Sequence, residues 1–179
     1  MRKNLKTKKV IDLGSSVLSA WQTNCRVTSA LVKGLPTALW SESVPEYPRR
    51  TVRMIVAHMH NARAGWIRTL GRPHGIEVPT QVDRHRVERR ELLAALKVSG
   101  DAMEALLRFG LESGNQIPPT PAYVWRNLQL DVGHVLTYFV AHEAHHRGQI
   151  VMLARQLGHR LPVSVIDGLW QWKTPKQGK

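Results

Sequence analysis

The longest unbroken pattern in the chain covers residues 128–158, LQLDVGHVLTYFVAHEAHHRGQIVMLARQLG, which contain no proline. Apolar residues recur there every three or four positions. The stretch therefore predicts one long helix, capped by Asn127 and stopped by Gly158 and Pro162. At about 100° per residue, Asp131, Val135, Tyr138, Phe139, His146, Gln149, Leu153 and Leu157 fall within about 60° of His142. His142 and His146 are then one turn apart on a mostly apolar face. His145 lies at the edge of that face, and Ala144, Arg147 and Val151 point away from it.

Three more stretches carry the same period. Residues 10–33 place Val17, Leu18, Trp21, Val27, Leu31 and Val32 on one stripe, ended by Gly34-Leu35-Pro36. Residues 51–70 put Thr51, Met54, Ile55, Ala62, Gly65 and Thr69 beside His58, with Trp66 at the edge. Gly71 and Pro73 stop that helix. His60 lies about 160° from His58 and reads as a surface histidine. Residues 88–109 use Leu92, Leu93, Leu96, Met103, Leu106 and Leu107, with Gly100 as a soft spot and Gly110 as the end.

The links are irregular: 35–50 with a short turn at 38–40, a long crossover over 71–87, and the proline-rich 111–127. His74 and His85 are loop residues. Trp170 and Trp172 are expected to cover the end of the helices. With no strand-period alternation, repeat or glycine-rich phosphate loop, the economical fold class is all-α. Four amphipathic helices surround one core, with a long crossover between the second and third.

Composition narrows the function. The 179 residues are enough for one core, and 42% apolar content is that of a globular chain. The single cysteine, Cys25, allows neither an internal disulfide nor a thiolate cage. No apolar run approaches a membrane span, and Asp12 and Gly14 break any signal-peptide pattern, so the expected location is cytoplasmic. The net charge of +13 is concentrated at the ends: residues 1–9 hold five positive charges and residues 173–179 three. The chain thus divides into a basic tail over 1–9, a helical body over 10–172 and a basic tail over 173–179. Weak, sequence-independent nucleic-acid attraction through the first tail is the non-enzymatic alternative.

Two imidazoles at i, i+4 have two ordinary explanations: core histidines bonded to backbone or hydroxyls, or two ligands of one metal ion. A third inward histidine, His58, favours metal. His58, His142 and His146 would leave a fourth coordination position open, which is a catalytic pattern. Zinc suits the donor set best, with nickel, iron and manganese also compatible. Such a metal lowers the pKa of a bound water or takes a thiolate or carbonyl ligand. Gln149 and Tyr138 share the face and are candidates for ligand support or substrate contact. Residues 142–146 also match H-E-x-x-H, the zinc-peptidase helix whose glutamate activates water. The extended form of that motif is absent, because Gln149 and Met152 stand where glycine and histidine belong. A hydrolase with Glu143 as base is therefore the second enzymatic reading.

VAHMHNARAGW at 56–66, YFVAHEAHHRGQIVMLARQLGHRLP at 138–162, GLWQW at 168–172 and AWQTNCRVTSAL at 20–31 together resemble the DinB/YfiT-like family of metal-dependent enzymes. The most specific element is H-x-x-x-H-R-G-Q with a histidine on an earlier helix. The resemblance implies an up-down-down-up four-helix bundle. It also implies a zinc or nickel ion on His58, His142 and His146, and frequent homodimers. Relatives of known activity include transferases and isomerases that use the low-molecular-weight thiols bacillithiol, mycothiol or glutathione. A small-thiol-dependent transferase acting on a small molecule is the leading expectation.

Overall fold

The computed structural model describes residues 12–43, 46, 48, 50–124 and 127–173. The basic segment 1–9 and residues 174–179 lie outside the described residues. The described chain is all-helical, with no strand and one isolated bridge between Gln116 and Asp131. Four long helices, α1 (Leu13–Gly34), α2 (Val52–Trp66), α3 (Arg89–Glu112) and α4 (Val132–Gln156), are followed by a short α5 (Val163–Gly168). No described helix is long and apolar enough to cross a membrane.

Local chemistry sets the starts of three helices. The Asp12, Thr51 and Asp131 side chains accept from the backbone N–H of Ser15, Met54 and His134, capping α1, α2 and α4. The cap of α4 is thus Asp131 and not Asn127, and the helix begins four residues later than its period suggests. Residues 128–131 instead face the preceding link: the Ile117 N–H donates to the Leu130 carbonyl at 2.7 Å. Gly158, at φ 77°, closes α4 as expected, because this left-handed turn is strained for any residue with a Cβ. Helix α2 passes into a wider turn at Ile67–Gly71 and a tight one at Arg72–His74. Ala38–Trp40 forms the short turn expected in the first link.

Gly100 and Gly110 differ from their sequence reading. A Cβ at Gly100 would come within 3.1 Å of Cys25 Sγ and 3.3 Å of Arg63 Nη1. The Gly100 carbonyl also accepts from Trp21 Nε1 at 2.9 Å. It is a point of close helix approach. Helix α3 runs past Gly110, where a Cβ would meet Val132 at 2.6 Å.

Contacts along the helices give their pairings. In α1 and α3, Gly14 lies against Leu111, Gln22 bonds Glu104, and the Leu35 carbonyl accepts from Arg89. In α1 and α4, Trp21 meets Phe139, and Asn24 and Thr28 bond Glu143. In α2 and α4, Arg50 meets Gln149, His58 meets His142 and His146, and Trp66 meets Tyr138.

The interior is layered. One apolar cluster gathers Leu31, Val32, Val52, Ile55, Val56, Leu92, Leu96, Ile150 and Leu153. A second gathers Trp21, Trp66, Ile67, Leu70, Met103, Leu106, Val132, Val135 and Phe139. Every long helix also buries polar side chains between the two clusters: Asn24 and Thr28, His60 and Arg63, Ser99, Glu143 and Arg147. Trp170 and Trp172 do not cover the helix ends, being 78% and 43% exposed. Val165, Ile166 and Leu169 do so, and Val165 sits over Gly34.

Candidate metal centre

Burial on α4 follows Val132, Val135, Phe139, Glu143, His146, Arg147, Ile150, Leu153 and Ala154. The inward stripe is therefore turned toward Glu143 and Arg147 from the face centred on His142. That rotation carries the histidines from the core to the seam between α2 and α4. His58 is exposed, His142 half-buried and His146 buried.

Seam geometry brings the three predicted rings together. His142 Nε2 is 3.1 Å from His146 Nε2 and 3.3 Å from His58 Nε2, and one ligand atom from each lies within 4.8 Å of the others. The tautomer of His146 follows from its neighbours. The Arg50 Nη2 group donates to Gln149 Oε1 at 2.7 Å, which fixes that atom as the amide oxygen, since a guanidinium only donates. His146 Nδ1, 2.9 Å from the same oxygen, must then carry a proton, leaving Nε2 with a bare lone pair pointing at the other two rings. Gln149 Nε2 donates in turn to His145 Nε2 at 2.7 Å. Gln149 is thus a support for a ligand-bearing ring. Tyr138 lies parallel to the His142 ring, 8° apart in plane and 6.1 Å between centroids, and shares its cavity.

Electrostatics favour the neutral, ligating form of all three. Burial, then the imidazoles of His146, His58 and His145, pushes His142 down to about 4. Burial, then Arg84 and Arg50, lowers His58. Burial also lowers His146, against the opposing pull of its bond to Gln149. Three neutral imidazole nitrogens converging in this way are a donor set that a divalent cation can take.

Two cavities flank the cluster. One, about 520 Å³, is lined by Glu46, Pro48, Arg50, Met54, Ile55, His58, Arg84 and His146. The other, about 650 Å³, contains His58, His142, Ala62, Gly65, Trp66, Arg68, Gln81, Asn127 and Tyr138 among its walls. The small residues Ala62 and Gly65, which the sequence places on the face of His58, line this second space.

Glu143 does not belong to the cluster. It is fully buried, and its carboxylate points inward. Oε1 accepts from Arg63 Nε at 2.6 Å; Oε2 accepts from Asn24 Nδ2 at 2.8 Å and Thr28 Oγ1 at 3.0 Å. Arg147 completes the set through Asn24 Oδ1 and Thr28 Oγ1. A carboxylate so engaged cannot serve as the base of a hydrolase at the histidines. The residue expected to act as a base is a core ion-pair partner. His60 is likewise no surface histidine. It is 1% exposed, with Nδ1 3.1 Å from Ser99 Oγ and Nε2 2.9 Å from the Thr80 carbonyl of the crossover. Burial pushes the Cys25 thiol up to about 12, away from the thiolate form.

Sequence reasoning missed Arg50, Arg84 and Arg63. Arg50 and Arg84 lie in segments read as links, and Arg63 is paired with a residue 80 positions away. No curated protein matches the chain. The model of the DinB family matches residues 1–176, nearly the whole chain. The helical architecture and the three-histidine cluster agree with that match, and the chain belongs to the DinB family.

Proposed function

We propose that this protein is a metal-dependent enzyme and that its reaction is a transfer using a small thiol. The observation that carries the reading is the convergence of three histidine Nε2 atoms where two cavities meet. His58, His142 and His146 would hold the ion, with zinc first and nickel next by donor type. When bound, the metal supplies a Lewis acid that keeps a thiol ligand deprotonated near neutral pH. Gln149 holds the His146 ring with Nε2 turned to the ion, and Arg50 holds Gln149. His58 and His142 wall the Trp66–Tyr138 cavity, while His58 and His146 wall the Arg50–Arg84 cavity. Two co-substrates therefore have separate approaches to the same three rings.

The proposal includes an up-down-down-up bundle. It is supported by the order of contacts, antiparallel for α1 with α3 and for α2 with α4, and parallel for α1 with α4. It also includes a homodimer, as the family resemblance implies, at work in the cytoplasm, as the composition suggests. The test is an assay of the zinc- and nickel-loaded protein with glutathione and other low-molecular-weight thiols against electrophilic partners. Turnover is expected to require both metal and thiol, and to vanish in His142→Ala. Absence of turnover together with absence of thiol binding contradicts the proposal.

A further inference from the structure

The charge around the histidines does not balance. All three ligands are neutral, so a divalent ion would keep its full charge. Among the described residues, Glu46 is the one acid that lines either cavity, against Arg50, Arg84 and Arg68. Glu143, one residue from His142, is committed to Arg63 in the interior and offers nothing to the site. A half-enclosed region carrying this much uncompensated positive charge is completed by an anionic ligand.

The two cavities share the charge unequally. Arg50 and Arg84 stand together in the cavity that contains His58 and His146, over a floor of Met54 and Ile55. Arg50 is held in place by its bond to Gln149, so its guanidinium meets a ligand already oriented. Both arginines line the same cavity as His58 and His146, which places their charge beside the three rings. The opposite cavity has one arginine among amides and the faces of Trp66 and Tyr138, a lining suited to a flat, less charged molecule.

We propose that the Arg50–Arg84 cavity is the subsite for the carboxylate-bearing end of the thiol co-substrate, and that the electrophile takes the Trp66–Tyr138 side. This rests on the thiol reading above, and the two are tested on separate axes. The full-length zinc-loaded protein is titrated calorimetrically with four probes: glutathione, S-methylglutathione, and the diethyl ester of each. Blocking the sulfur tests the thiol reading; esterifying the carboxylates tests this one. Glutathione is expected to bind roughly tenfold or more tightly than its ester, the scale of one or two charge-assisted hydrogen bonds. Arg84→Gln, at an exposed position, should remove most of that difference while zinc stoichiometry stays unchanged. S-methylglutathione should bind more weakly than glutathione yet show the same ester penalty.

Equal binding of acid and ester, untouched by Arg84→Gln, overturns the subsite. Equal binding of free and blocked thiol, with the ester penalty intact, overturns the thiol reading and leaves an anion site. Binding of none of the four overturns both.

Discussion

Adjacent residues of one helix turn build two polar clusters with opposite properties. His142 and His146 face the α2 seam, and Glu143 and Arg147 face the interior between α1 and α2. In the interior cluster every acceptor has its donors: Arg63, Asn24 and Thr28 close around Glu143, and Arg147 bonds back to Asn24 and Thr28. The seam cluster is the reverse: three ring Nε2 atoms converge on one another, and that of His146 brings no proton. The first is a finished structure, and the second is a donor set compatible with a metal ion. Burial alone does not separate them, since His146 is buried too; the balance of donors and acceptors does.

The largest effect that would break this contrast is on stability. Glu143→Ala leaves Arg63 and Arg147 without their counter-charge inside the protein. It should cost about 3–5 kcal/mol in chemical denaturation, the usual penalty for half a buried ion pair. A Glu143→Ala protein of native stability would return Glu143 to the candidate catalytic residues. Gln149→Leu acts on the other cluster, removing the acceptor that fixes the His146 tautomer. Zinc affinity in competition with a chelator should drop about 10–100-fold, with little change in the stability of the metal-free protein.

The smallest expected effect concerns pH. The three ring pKa values are held below the ordinary histidine value in the folded, metal-free protein. Unfolding therefore takes up protons below about pH 6.5, so stability should fall as the pH drops from there toward about 4, the lowered value of His142. Denaturation of metal-free protein at pH 7 and pH 5 measures the slope. His142→Gln should flatten it, and a slope unchanged by that substitution would place the pH dependence elsewhere.

The helices were legible because their apolar periods are local. So were His58, His142 and His146, since spacing on one helix plus an inward position on another suffices to nominate them. What was not legible depends on pairing at a distance. Glu143 read as a candidate base beside the site and Arg147 as pointing away from the apolar face, and only the approach of Arg63 and Asn24 makes their burial tolerable. His60 was assigned to the surface because α2 was given a single inward face. The structure buries it on two sides, with α3 and the crossover supplying partners through Ser99 and Thr80. The true cap of α4 was hidden because both Asn127 and Asp131 are good caps, and the link's bonds to Leu130 choose between them. Gly100 looked like a weak point, and its reason, the closeness of Cys25 and Arg63, exists only in three dimensions.

The account's central claim is that the seam histidines hold a cation and their interior neighbours do not. Elemental analysis of the purified protein after equilibration with zinc tests it most directly, comparing wild type with His142→Ala and checking helicity by circular dichroism. The expected result is about one zinc per wild-type chain, none retained by the variant, and the same helical spectrum for both. A wild-type protein that holds no zinc, or a variant that holds as much as wild type, would contradict it.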